Sequence, residues 1–479
     1  MKDLLMRALD TAVKRGATYA DVRYLQTRQQ VIVVKDNRLE TVTQNVTRGF
    51  GVRVIANGGW GFASSSRLDV KEMDMVAATA VRIAQASSSV LREPVQIGEP
   101  YKIVARYTTP VKKDPFAVSA EEKAALLLAA TQRMIKVKHI VTGTANTEVL
   151  RHDKIFASTE GSYIEQTLYE TGCAIEATAV EGNEVQNRSY PNSIGRHQGC
   201  EGWELVERCD LPGNAMRIAE EASALLKAKQ CPSGEMTVIL DGSQTALHVH
   251  ESCGHPIELD RVFGSEAAFA GTSFLTTDKL GTFKYGSDKV NMTIDATIPG
   301  GLGTFGFDDE GVPAQRADIV KNGIFAGYLT SRESAAKLGQ RSNGTMRASS
   351  WDRLPIIRMT NVNLEPGPWK AADLIADTDT GIYMQTNRSW SIDDKRLNFQ
   401  FGTEIAWEIR GGKLGDMIKN ATYTGMTPQF WGSCDAVCGG DDWLVWGVPN
   451  CGKGQPEQVG HVGHGAAPAR FRNVRVGVM

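Results

Sequence analysis

Long apolar runs are missing from this sequence. Ala124–Ala130 and Val31–Val34 are among the longest, far short of the run of about 20 residues that spans a bilayer. No membrane partner is therefore expected. The first residues, Met1 to Leu5, lead straight into a charged amphipathic pattern rather than the apolar core of a signal peptide. A basic excess is missing too: 53 Lys plus Arg stand against 55 Asp plus Glu, with no dense Lys/Arg block. That balance argues against nucleic acid as a direct partner. The eight cysteines lack the tight spacing of a small disulfide scaffold, so they read as thiols or ligands in a reducing cytoplasm. No repeat of solenoid or propeller period is visible.

What remains is a soluble, globular composition, 42% hydrophobic and 23% charged. At 479 residues the chain exceeds one ordinary core, so more than one domain is expected. Leu4, Leu5, Ala8, Leu9, Ala12 and Val13 recur at helical spacing before Gly16. Short strand-like segments follow to Ser66, then a second helix over about 70–86. Ser119 and Glu122 form a capping-box pattern opening a helix to about Ile135. Strands are predicted over 140–180 and a helix over 215–228, before the Pro232/Gly234 break. The expectation is α+β: an N-terminal α+β domain over 1–230 (subparts about 1–90 and 112–230), with antiparallel strands and helices. A mostly antiparallel β domain over 231–479 then carries a helix near position 250.

That helix holds the chemistry. A predicted buried strand, Met236–Leu240, runs into Asp241-Gly242-Ser243, a turn suited to cap a helix. Then come His248, His250, Glu251, Cys253, Gly254, His255 and Pro256. Two imidazoles that hold a metal, beside a carboxylate that activates its water, form a metallopeptidase arrangement. The usual spacing is four; here it is five, which an ideal helix places ~140° apart. Gly254 and Pro256 flank His255, and the residue before a proline is biased away from helical geometry. The helix is therefore expected to bulge or break there and swing His255 back over the metal. His248 reads as core or as a support behind the ligands. An ordinary, partly buried helix could carry the same histidines.

A third donor must come from elsewhere. Cys451 sits at the tip of a glycine-flanked loop, Val448 to Gln455, and thiolate is a good zinc ligand. Cys253, the Cys434/Cys438 pair, His461 and His464 compete with it, and spacing does not choose among them.

Three segments resemble the TldD branch of the TldD/PmbA metalloprotease family, also labelled modulators of DNA gyrase. They are His250–His255, then Gly306–Pro313 leading to Leu354–Asn361, then Cys451-Gly452-Lys453-Gly454-Gln455. The resemblance covers nearly the whole chain. It implies Zn²⁺ on His250, His255 and Cys451. The sister branch, PmbA or TldE, lacks the two-histidine helix, so this chain resembles the catalytic type. Three features depart from the family pattern. The segment around Arg388–Asp393 differs, Gly454 follows Lys453 directly, and His461 and His464 stand where no histidine is expected.

On this reading Glu251 is the general base that takes a proton from a zinc-activated water and returns it to the leaving amine. Short or unfolded peptides are the implied substrates. Strand addition is a route for binding them, with Pro299–Gly306 as a candidate edge. Resemblance also implies a dimer, with a TldE/PmbA-type chain or with a second copy. The competing class is a non-catalytic peptide-binding or gyrase-modulating protein whose zinc is structural. That reading needs a fourth protein ligand, whereas a catalytic site keeps one position open.

Overall fold

In the computed structural model, all residues except Ile194, Ala270, Gln455, Val478 and Met479 are described. Gln455, the last residue of the Cys-Gly-Lys segment, thus lies outside the described residues.

The N-terminal half is built on one eight-stranded sheet. Its spine is a long antiparallel meander in which Arg38–Ala56 pairs with Tyr19–Lys35, which pairs with Ile140–Ser158, which pairs with Tyr163–Glu181. Two helix pairs cover it. Lys2–Lys14 and Val70–Ser88 bury Leu5, Leu9, Met73 and Val81 against Val22, Phe50 and Val52. Ala120–Met134 and Leu211–Leu225 bury Leu127, Met134 and Ile218 against Ile32, Val149 and Ile175. The expected capping box is present, Ser119 and Glu122 each bonding the other's backbone. The last of these helices starts and ends earlier than its apolar spacing suggested.

The strands differ more from expectation. The sequence reads as short segments, yet the strands of this meander run to 17 and 19 residues. Their outer halves, such as Thr41–Gly49, are polar and mostly exposed, so no buried face marks them by alternation. The ladder pairing continues there all the same.

The C-terminal half holds a second eight-stranded sheet, largely antiparallel as expected. Thr380–Ile392, Gly234–Leu240, Ala469–Val476, Thr422–Met426 and Asn398–Arg410 are neighbours in that order, and the first also pairs with the last. The five strands therefore close a ring. Every residue of the helix Gly242–Val249 is buried. Its His248 lies against Phe399, Phe401, Tyr423, Phe430 and Trp431. Outside the ring, the hairpin Leu444–Lys453/Gln458–Ala466 carries Cys451. Among the described residues no helix is long and apolar enough to cross a membrane.

Phe471 is central to this half. It is fully buried, its ring centroid is 4.1 Å from that of Phe430, and it faces Val238 and Cys434 across two ladders. Phe471→Ala is expected to cost about 3–5 kcal/mol of stability. Chemical denaturation checks this, and a loss below about 1 kcal/mol would show that the aromatic stack is not a keystone.

Candidate metal centre

The strand Gly234–Leu240 ends at Asp241, whose carboxylate accepts the Gln244 amide at 2.8 Å and so caps the helix Gly242–Val249 as expected. The next five residues, His250–Gly254, form a π-turn closed by the His255 amide bonding the His250 carbonyl at 3.2 Å. Pro256 explains the change. It has no amide hydrogen for the Ser252 carbonyl, which instead accepts the Tyr285 hydroxyl at 2.9 Å. Gly254 permits the packing: a Cβ there would sit 2.3 Å from Met359 Sδ. An i→i+5 turn advances roughly 80° per residue, so the fifth residue returns to within about 50° of the first. The His250 and His255 ring centroids are 4.8 Å apart. The helix bulges rather than breaks, with His255 itself still helical at φ −68° and ψ −44°, and the bulge aligns a five-residue spacing that an α-helix would splay.

Cys451 arrives from the hairpin, opposite Gly460 and beside a register shift between Val448 and Cys451. Its Sγ lies 3.3 Å from His250 Nε2 and 3.7 Å from His255 Nε2. The three donors are within 4.8 Å of one another, all buried. Arg358 fixes the strand by donating to the Cys451 carbonyl. Gly460 leaves room for that guanidinium, since a Cβ there would lie 2.5 Å from it. Lys453, fully buried, binds Asp260 at 2.7 Å and approaches Glu258 at 3.4 Å. It thereby ties the cysteine strand to the segment that follows the histidines.

The outer ring nitrogens decide which nitrogens face inward. His464 Nδ1 donates to the Val362 carbonyl at 2.9 Å, so its Nε2 must accept. His250 Nδ1 lies 2.8 Å from that Nε2 and is therefore the donor, leaving its own Nε2 lone pair for an ion. His255 Nδ1 lies 3.0 Å from Glu258 Oε2, which frees its Nε2 in the same way. Burial holds both histidines below their ordinary pKa, in the neutral form that binds metal. Burial alone would raise the Cys451 thiol, but the nearby Arg358 cation works against it and the pKa falls. Two neutral imidazoles and a thiolate-prone sulfur are the donor chemistry of a zinc site. Among the described residues no fourth His, Cys, Asp or Glu joins the group.

Glu251 is buried beside His250, and its Oε2 accepts from Arg396 Nη1 at 2.8 Å. Sequence reasoning missed Arg396, which lies three residues beyond the segment noted as departing from the family pattern. The competing donors go elsewhere. His248 is core, its pKa taken down by burial to about 3. Cys253 is buried, with its thiol pushed up to about 12. Cys434 and Cys438 are also raised to about 12 by burial and lie in apolar clusters. His461 pairs with Glu170 of the N-terminal sheet. His464 serves behind His250, a role that spacing could not reveal. Pro299–Gly306 is not a free edge: Cys200 already bonds Gly300, and a Cβ on Gly303 would meet the Thr360 carbonyl carbon at 2.1 Å.

Comparison with known proteins matches three consecutive family models. Residues 20–84 match domain 1 of the PmbA/TldA metallopeptidases, 113–230 the central domain and 233–477 the C-terminal domain. A metalloprotease of Methanothermobacter thermautotrophicus is 32% identical, covering 96% of this chain and 95% of that one. A protein of Saccharolobus solfataricus named zinc metalloprotease TldD homolog is 22% identical over 88% of this chain and 89% of its own. Among solved structures, a protein of Thermotoga maritima described as a modulator of a DNA gyrase superposes with a TM-score of 0.79 at 19% identity. It covers 99% of this chain and 100% of its own. TldE of Thermococcus kodakarensis gives 0.77 at 15% identity, with coverage of 99% and 100%. At these identities the two structures speak to the fold alone.

His464→Ala removes the acceptor that orients the His250 ring while leaving all three donors. It is expected to weaken Zn²⁺ binding roughly 10–100-fold. Competition with a chromophoric chelator measures this, and an unchanged affinity would mean that His464 does not orient the ring.

Proposed function

We propose that this chain, which belongs to the PmbA/TldA metallopeptidase family, hydrolyses peptide bonds with Zn²⁺ held by His250, His255 and Cys451. The observation that carries the reading is the convergence of those three buried donors beside a buried carboxylate. Bound there, zinc would supply Lewis acidity to the scissile carbonyl and to the attacking water.

The chain's own groups do the rest. Glu251 accepts the proton of the attacking water and passes it to the leaving amine. His464 and Glu258 hold the two imidazoles in the tautomers that direct Nε2 inward. Arg358 favours the thiolate of Cys451, and Lys453 anchors its strand. A non-catalytic, structural centre needs four protein donors. The three-donor set and the adjacent Glu251 support the peptidase instead.

Unstructured peptides are the substrates we assign. A cleft of about 1090 Å³ separates the two halves, with Tyr107 and Tyr190 on one wall and Pro299, Trp443 and Trp446 on the other. The strand that carries Cys451 begins on that second wall, at Leu444. An extended chain lying along it would be led towards the centre. Pairing with a TldE/PmbA-type chain or with a second copy would enclose the site further, in the cytoplasm.

Glu251→Gln tests this. The variant is expected to bind as much zinc as the parent and to lose about 10²–10⁴-fold in turnover of an unstructured fluorogenic peptide. Undiminished hydrolysis would remove Glu251 from the chemistry. Cys451→Ser, by contrast, is expected to lose bound zinc and activity together, as read by elemental analysis of the purified protein.

A further inference from the structure

Glu251 follows His250 directly, so helical geometry alone turns its side chain roughly 80–100° away from the ligand's direction. Something must hold the carboxylate at the centre. Arg396 is its one hydrogen-bond partner among the described residues, and the bond uses a single nitrogen and a single oxygen, Nη1 to Oε2. A forked pair would occupy both oxygens. Here Oε1 bonds no described residue.

Arg396 is itself held firmly. It sits at the turn between Thr380–Ile392 and Asn398–Arg410, in the left-handed region at φ 64°. The Asp393 carboxylate accepts the amides of Leu397 and Asn398 across this turn. Thr272 bonds the Asp394 carbonyl, Phe274 that of Lys395, and the Thr427 hydroxyl that of Arg396. Gly271 makes the approach possible, because a Cβ there would lie 2.3 Å from the Asp394 carbonyl oxygen. A strained non-glycine residue fastened from three sides, with its guanidinium half-sealed against one buried carboxylate, is a built arrangement. The side chains of Arg396 and Glu251 are only 16% and 7% exposed.

We propose that Arg396 is a positioning residue for Glu251, anchoring Oε2 so that Oε1 is presented to the reacting water. This rests on the reading of Glu251 as the general base. The cation is already matched by that carboxylate, so it does not serve to recognise a charged group of the substrate.

The test compares zinc-loaded parent, Arg396→Met, Arg396→Lys, Glu251→Gln and the Glu251→Gln/Arg396→Met double variant on one fluorogenic peptide. Bound zinc is expected to be equal in all five. Arg396→Met should lower kcat about 10–100-fold with KM nearly unchanged, and Arg396→Lys should recover most of that loss. In the Glu251→Gln background, removing Arg396 should cost nothing more, because its effect passes through the carboxylate. The proposal is overturned by an unchanged kcat in Arg396→Met, by a change confined to KM, by loss of zinc, or by additive losses in the double variant. A fully active Glu251→Gln would instead overturn the general-base reading itself, which separates the two failures.

Discussion

A single missing amide hydrogen organises this protein's chemistry. Pro256 cannot serve the Ser252 carbonyl, so the α-helical ladder cannot run on past the histidines, and the chain closes an i→i+5 bond instead. The wider turn puts His250 and His255 on one face, where one sulfur lies within 4 Å of both. Every other feature of the centre presupposes that alignment. The hydroxyl of Tyr285 satisfies the Ser252 carbonyl, and the bare α-carbon of Gly254 lets Met359 pack against the irregular backbone.

Around the turn lies a dense set of buried charges: Glu258, Arg261, Arg358 and Lys453 are each almost wholly shielded from solvent. Such groups are costly to bury singly and are tolerated where opposite charges face one another. Glu258 takes His255 on one side and the cations Arg261 and Lys453 on the other, and those cations together with Arg358 keep its pKa low despite burial. Lys453 belongs to the cysteine strand, while Glu258 and Asp260 belong to the histidine segment. The network thus ties the two halves of the centre together by charge, whether or not an ion is bound.

Local chemistry made much of this legible. Asp241 before Gly242-Ser243 announced the helix start, Ser119 with Glu122 announced another, and the Gly254/Pro256 bracket announced the bulge. Each is a rule about backbone hydrogen bonds that a few adjacent residues decide. The α+β class and the antiparallel C-terminal half followed from texture. Harder to see were relations between distant segments. Nothing near His464 marks it as the acceptor for His250, and nothing near Arg396 marks it as the partner of Glu251, 145 residues away. The glycines at 300–306 looked like room for a ligand strand, but Gly301 and Gly303 make room for the protein's own Asn361 and Thr360, and Gly306 for Tyr107. Polar strand extensions such as Thr41–Gly49 left no periodic trace because neither face is buried.

The two histidines and the cysteine are separated by some 200 residues of chain. During synthesis at ~5–20 residues per second, the imidazoles therefore emerge roughly 10–40 seconds before the sulfur. Over that interval the nascent chain offers a divalent ion only two ligands, and the hairpin that would complete the cage has not been made. On the zinc assignment proposed above, competence to cut peptides would wait on the late arrival of one thiol.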